Sequence, residues 1–199
     1  MEYVEKIARK IWITRLCRIE ASKRLESNDS FTQTLLVYYS AILTALSIWV
    51  FFIEKTNQIS DSKVSLILLI ASIALTIYST FIVSKAYKER AIKMKYNYIA
   101  LDSLYKQIKK LEANYKADTI NLNQLIDEVD KVDGKYVILL QEAENHNDCD
   151  YIKAINSDKN ETLTNYCIAR YIYYRCEEVA IKLLGFMGPL ISIYFYIKW

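Results

Sequence analysis

Charge vanishes from the chain twice in its first half, over residues 30–53 and again over residues 64–84, with only EKTNQISDSK between them. As a helix rising about 1.5 Å per residue, the second stretch reaches roughly 30 Å, the thickness of a bilayer's hydrocarbon core. The first stretch, with its apolar centre LLVYYSAILTALSIWVFFI, passes the same length test. The pattern predicts an all-α membrane protein with a two-transmembrane helical hairpin over residues 30–84.

Beyond the hairpin the period changes. Tyr87, Ala91, Met94, Tyr98, Leu101, Tyr105 and Ile108 follow alternating steps of four and three, the seam spacing of a coiled coil or helical bundle. Such a seam is a candidate surface for joining copies of the chain, and the second span is expected to continue into it unbroken. Leu122, Leu125, Ile126, Val129, Val132, Tyr136, Leu139, Leu140 and Ala143 form a second helical stripe with Gly134 as its weak point, and a third runs over residues 163–184. Residues 145–150 and 156–160 read as loops.

Residues 1–29 form a basic amphipathic segment with Val4, Ile7, Ala8, Ile11, Trp12 and Ile19 on one side. It could lie on a membrane surface or dock on the helical bundle, and its Glu2, Glu5 and Glu20 favour docking. Residues 85–182 are then a helical region, and residues 183–199 an apolar C-terminal segment, LLGFMGPLISIYFYI before the closing Lys198 and Trp199. Gly185, Gly188 and Pro189 are expected to interrupt this last run, which reads as a third crossing, a re-entrant segment or a tail packed in an oligomer.

Composition agrees with long helices and few connectors: the 199 residues hold only 3 Gly and 1 Pro. Basic residues Lys6, Arg9, Lys10, Arg15, Arg18, Lys23 and Arg24 precede the first span, and Lys85, Lys88, Arg90, Lys93 and Lys95 follow the second, whereas the connector carries only Lys55 and Lys63. Basic residues near a span resist translocation, so the N-terminus and the main helical region are expected on the cytosolic side of the bacterial inner membrane. Trp49, Tyr38, Tyr39 and Tyr78 fit interfacial aromatic positions. No secretory leader is expected at the start, and the Asn160-Glu161-Thr162 triplet carries no weight on this topology.

A net charge of +3, with acids matching bases at helical spacing, gives no reason to expect direct nucleic-acid binding. Cys17, Cys149, Cys167 and Cys176 form no CxxC pair and are expected as thiols. His146 and Cys149 lack the second pair that a zinc site needs. With no Gly-rich phosphate loop, nucleophile elbow or charged residue inside either span, neither enzyme activity, a metal nor a cofactor is expected. What the spans do carry is small hydroxyl residues in register: Ser40, Thr44 and Ser47 on the first, and Ser65, Ser72, Thr76 and Ser79 on the second. Such a stripe serves either close helix packing or the lining of an aqueous path in a ring of several copies.

The run YKERAIKMKYNYIALDSLYKQIKKLEANY, following two closely spaced spans and an N-terminal RKIWITRLCRIEASKRL, resembles the SLATT family, the SMODS-and-SLOG-associating two-transmembrane effector domains of bacterial conflict systems. Arg90, Ala91, Tyr98, Leu101, Leu104 and Tyr105 carry the likeness, which extends over nearly the whole chain and is nearest the subgroup that accompanies reverse transcriptases. The resemblance implies a pore-forming or membrane-disrupting effector of abortive infection, acting in the lipid bilayer as a homo-oligomer. A partner sensor, such as a reverse transcriptase or a nucleotide-signalling protein, would release it. It brings no catalytic residues, and the apolar C-terminal run departs from the simplest two-span pattern. Two other readings remain open: a non-conducting adaptor that recruits a soluble enzyme, and a small membrane enzyme built around His146, Cys149 and Asp150.

Overall fold

The computed structural model describes residues 1–57, 62–158 and 164–198, and from residue 189 on the backbone alone. The middle of the hairpin connector and the Asn160 triplet lie outside the described residues. Among the described residues six α-helices follow in order: α1 (Glu2–Asn57), α2 (Ser62–Ser84), α3 (Tyr87–Lys116), α4 (Leu122–Glu142), α5 (Asp148–Ser157) and α6 (Asn165–Lys198). No strand occurs among the described residues. The N-terminal amphipathic segment and the first span are one helix, because neither Gly nor Pro occurs anywhere before Gly134 to interrupt them.

The helices form two compact units. Unit 1 comprises Met1–Glu26 and Lys88–Arg175, and unit 2 comprises Ser27–Tyr87 and Cys176–Trp199.

Unit 1 is a helical bundle whose core joins three elements. Val4, Ile7, Ala8 and Ile11 of α1 meet Leu101, Leu104 and Ile108 of α3 and Leu125, Val129, Val132 and Tyr136 of α4. The stripe at the N-terminus of α1 is thus docked on protein, with Trp12 tilted against Tyr105 at a centroid distance of 5.0 Å. Further along α1, the Ser22 hydroxyl donates to the Ala91 carbonyl at 3.1 Å.

Within one chain much of the α3 seam is already occupied. Ala91, Met94, Leu101 and Ile108 are at most 1% exposed, while Tyr87, Tyr98 and Tyr105 are half-buried. The aliphatic part of the seam packs inside the bundle, and the tyrosines keep part of their surface open.

Local signals fix the helix ends. At the start of α4, the Gln124 amide donates to Asn121 Oδ1 at 2.9 Å and the Asn121 amide donates to Gln124 Oε1 at 3.1 Å, a capping box. At the end of α3, Asp118 takes φ 56°; the Thr119 amide reaches the Asn114 carbonyl and the Asp118 amide reaches that of Tyr115, both at 3.0 Å. That pair of bonds is a Schellman motif with Asp where Gly is usual.

A second difference from expectation lies between α2 and α3. The sequence predicts a continuous helix there, yet the chain turns at Lys85 and Ala86, with Ala86 at φ 47°. The turn is closed by amide bonds from Lys85 to Ile82 and from Ala86 to Val83 at 3.0 and 3.1 Å. These three-residue closures end the α-helical ladder and point Ala86 into the left-handed region.

Candidate functional site

Among the described residues, two helices are long and apolar enough to cross a membrane, and their most apolar windows are only 0% and 6% buried within the chain. The core helix of a water-soluble bundle would be covered; these present Val37, Phe51, Phe52, Ile67, Ile77 and Val83 outward, each at least 60% exposed. Apolar surface on this scale is stable only against lipid or another apolar partner.

The inward side of each span is also apolar. On α2, Val64, Leu68, Ala71, Leu75, Ser79 and Ile82 are half-buried or buried, a helical seam with steps of three and four. On α1, Leu35 is buried, and Ile42, Leu43, Leu46 and Val50 are half-buried.

The hydroxyl stripes therefore lie mostly off the covered faces. Ser40, Thr44, Ser47, Ser65, Ser72 and Thr76 are exposed, and only Ser79 is half-buried. Each hydroxyl whose bond is defined turns back on its own helix: Ser40 to the Val37 carbonyl at 3.0 Å, Thr44 to that of Ser40 at 2.8 Å, Ser47 to that of Leu43 at 2.8 Å, Ser72 to that of Leu69 at 2.8 Å and Thr76 to that of Ser72 at 2.9 Å. Backbone acceptors satisfy these donors without a neighbouring helix. Ser40, Thr44, Ser47, Ser72 and Thr76 thus spend their hydroxyl donors within their own helices.

The third element of unit 2 is the C-terminal part of α6. Contrary to the expected interruption, α6 runs through Gly185, Gly188 and Pro189 to Lys198. The glycines serve close approach to α1: a Cβ on Gly188 would lie 2.6 Å from the Tyr39 hydroxyl oxygen, and one on Gly185 3.2 Å from Phe31 Cζ. Pro189 has no amide hydrogen, so the Gly185 carbonyl loses its usual helical donor. The Tyr39 hydroxyl donates to that carbonyl instead, at 2.8 Å. Phe186 packs edge-on against Phe31 and Tyr38 at centroid distances of 5.9 and 5.4 Å, and Lys182 Nζ donates to Ser27 Oγ at 3.1 Å.

Unit 1 contains the polar residues considered for chemistry. Asp150 is fully buried and accepts from Arg24 Nε at 2.9 Å and Nη2 at 3.0 Å. It also accepts the Asn147 amide at 2.9 Å, so its carboxylate caps α5 and ties it to α1. His146 stacks on Tyr151 with a 22° interplanar angle, and its buried Nδ1 finds no hydrogen-bond partner. Burial, and then the Arg18 charge, hold its pKa below the ordinary imidazole value. Cys149 is half-buried, and none of the four cysteines is in a disulfide. Among the described residues, no three His, Cys, Asp or Glu side chains converge as metal ligands would. Of the trio His146, Cys149 and Asp150, the carboxylate is committed to Arg24.

One buried cation stands out. Arg18 is 1% exposed; its Nη1 reaches only the Met94 sulfur, at 3.4 Å, and its Nε has no partner. In the sequence Arg18 reads as one of the charges that set topology, since a basic residue in an amphipathic helix is ordinarily solvated.

The sequence profile of the SMODS and SLOG-associating 2TM effector domain family 5 matches residues 1–195. No curated protein and no solved structure showed a significant match to the chain. The matched span takes in the apolar helix pair, the helical bundle and most of α6, and the chain belongs to the SMODS and SLOG-associating two-transmembrane effector family 5.

Proposed function

We propose that this protein is a non-enzymatic effector of a bacterial anti-phage system that permeabilises the inner membrane when several copies assemble. The observation that carries the reading is the exposed hydroxyl stripe. Ser40, Thr44 and Ser47, with Ser65, Ser72 and Thr76, sit on faces that the hairpin leaves uncovered. A single hairpin encloses nothing, so a leak needs a ring of copies, and hydroxyl faces are the surfaces best able to line one.

Charge asymmetry supports an orientation with unit 1 in the cytosol, where basic residues flank both spans. There a soluble sensor can reach it; a reverse transcriptase or a nucleotide-signalling enzyme is the kind of partner this reading calls for. The close seating of α6 on α1 through Gly185 and Gly188 favours a C-terminal segment that enters the bilayer beside the first span.

Expression under triggering conditions is expected to admit a membrane-impermeant dye and depolarise the cell. Dye exclusion at high expression, with the protein in the membrane, would contradict the proposal. The competing reading is a non-conducting adaptor. Replacing both spans with unrelated hydrophobic helices separates the two: an adaptor keeps its toxicity, and a pore loses it.

A further inference from the structure

We propose that unit 1 carries a binding site for a phosphate-bearing small molecule, in the cavity between the N-terminal part of α1 and the α4–α5 region. The cavity has a volume of about 480 Å³, within the range of small-molecule sites. Lys6, Arg9, Lys10, Thr14, Cys17, Tyr136 and His146 supply its polar wall, and Ile13, Tyr151 and Ile155 its apolar one.

Positive charge around this cavity exceeds what the neighbouring acids can match. Those acids are already committed: Asp158 to Arg9 at 2.7 Å, Asp150 to Arg24 at 2.9 Å, Glu144 to Arg90 at 2.8 Å and Asp148 to Arg170 at 2.7 Å. Lys6, Lys10 and Arg18 form no ion pair among the described residues, and no carboxylate lines the cavity. Arg18 follows Cys17 in α1 and is close enough to lower the His146 pKa. Cys17 cannot offset it, because burial pushes the thiol up to about 12 and keeps it neutral. Glu144 acts on Arg18 but is itself paired with Arg90; a buried guanidinium so weakly matched is costly, and an anion in the cavity adds counter-charge.

The donors suit a phosphate in particular. Two ammonium groups stand at the rim, and the imidazole of His146 lines the wall. Neutral His146 carries one ring N–H donor, and His⁺ carries two stronger ones. The ring of Tyr151, stacked on His146 at 6.4 Å, offers a flat apolar surface for the organic part of the ligand. The same phosphate chemistry is found on a soluble metabolite and on a phospholipid headgroup.

The site is independent of pore formation, so its test reads binding rather than leakage. The full-length protein in neutral detergent is titrated calorimetrically with inorganic phosphate and with adenosine 5′-monophosphate; a parallel arm adds phosphatidylglycerol vesicles and follows protection of Lys6 and Lys10 from acylation. Saturable binding of adenosine monophosphate is expected, tighter than that of phosphate. Lys6→Ala/Lys10→Ala and His146→Phe are each expected to weaken it about tenfold or more, while Lys95→Ala on α3 leaves it unchanged. Protection by the vesicles alone, lost in the Lys variant, supports the phosphate site and assigns its ligand to lipid. No saturable binding and no protection, or binding that survives both cavity variants, overturns the proposal. Because Lys6 and Lys10 are exposed, their replacement tests the site without the folding risk of altering Arg18.

Discussion

The Tyr39 hydroxyl donates to the Gly185 carbonyl at 2.8 Å, the one carbonyl of α6 that Pro189 leaves without its helical donor. A carbonyl left without a donor in apolar surroundings costs several kcal/mol, so a tyrosine on α1 is what lets α6 continue past its proline. Gly188 makes the approach possible, since a Cβ there would stand 2.6 Å from the same hydroxyl.

Tyr39→Phe is therefore expected to lower stability by about 1–3 kcal/mol, and Gly188→Ala by a similar amount through displacement of the hydroxyl. The two should not add: with Phe at position 39 the nearest obstacle to an alanine methyl is gone, so Gly188→Ala costs much less in that background. Unfolding of the four proteins in mixed micelles measures the cycle, and strict additivity would contradict the assigned contact.

In unit 1 the Arg24–Asp150 pair is the strongest polar tie between α1 and α5. Arg24→Met strands a carboxylate that is fully buried, and about 3–5 kcal/mol of stability should be lost. Asp150→Asn keeps an oxygen for the Asn147 amide and should cost less. Chemical denaturation followed by tyrosine and tryptophan fluorescence ranks the two, and the reverse order would refute this account of the cap.

Gly134 sits mid-helix in α4 with no positive φ, and a methyl added there would meet nothing within 4 Å. Gly134→Ala should stabilise unit 1 by about 1 kcal/mol through helix propensity alone. A higher thermal midpoint with the same oligomeric state is the expected result; destabilisation would mean that the exposed face of α4 is covered.

His146 titrates below the unfolded imidazole value of about 6.5, through burial and Arg18, against the opposing pull of Asp150 and Asp148. Below that value the unfolded chain binds the proton that the folded one refuses, so stability falls on acidification from pH 7 through the folded pKa and then levels off. Tyr151 stacks on the ring and Cys17, neutral, lines the same cavity, so neither reverses the sign. Denaturation midpoints between pH 7.5 and 5.5 should show this slope, and His146→Gln should flatten it.

Much of this architecture is legible in the sequence, and the places where it is not share a cause. The spans are readable because removing charge from a long run leaves few alternatives to lipid. The stripe of Val4, Ile7 and Ile11 fits a membrane surface or a protein partner alike, and only Glu2, Glu5 and Glu20 tip the reading toward the docking that the structure has. The α3 stripe is just as regular, but spacing cannot tell whether its partner is a copy or the same chain, and Ala91 and Leu101 turn out to face α1 and α4. Pro189 reads as a breaker because its remedy, Tyr39, lies far away in sequence. Ala86 gives no hint of a turn, since alanine favours helix, and Arg18 looks like any other positive charge near a span. Of the candidate site, the hydroxyl register is visible in sequence, whereas its position outside the covered seam requires the packing of Leu35, Leu68 and Ile82.

The decisive measurement is dye efflux from proteoliposomes containing the purified protein, with cross-linking to follow assembly. Thr44→Leu/Thr76→Leu removes hydroxyls from both stripes while keeping the spans apolar. If these faces line the conduit, triggered efflux falls at least tenfold while the cross-linked ladder is unchanged. Undiminished efflux from the double variant, or efflux lost only because the assembly is lost, would contradict the claim that the stripe is the lining.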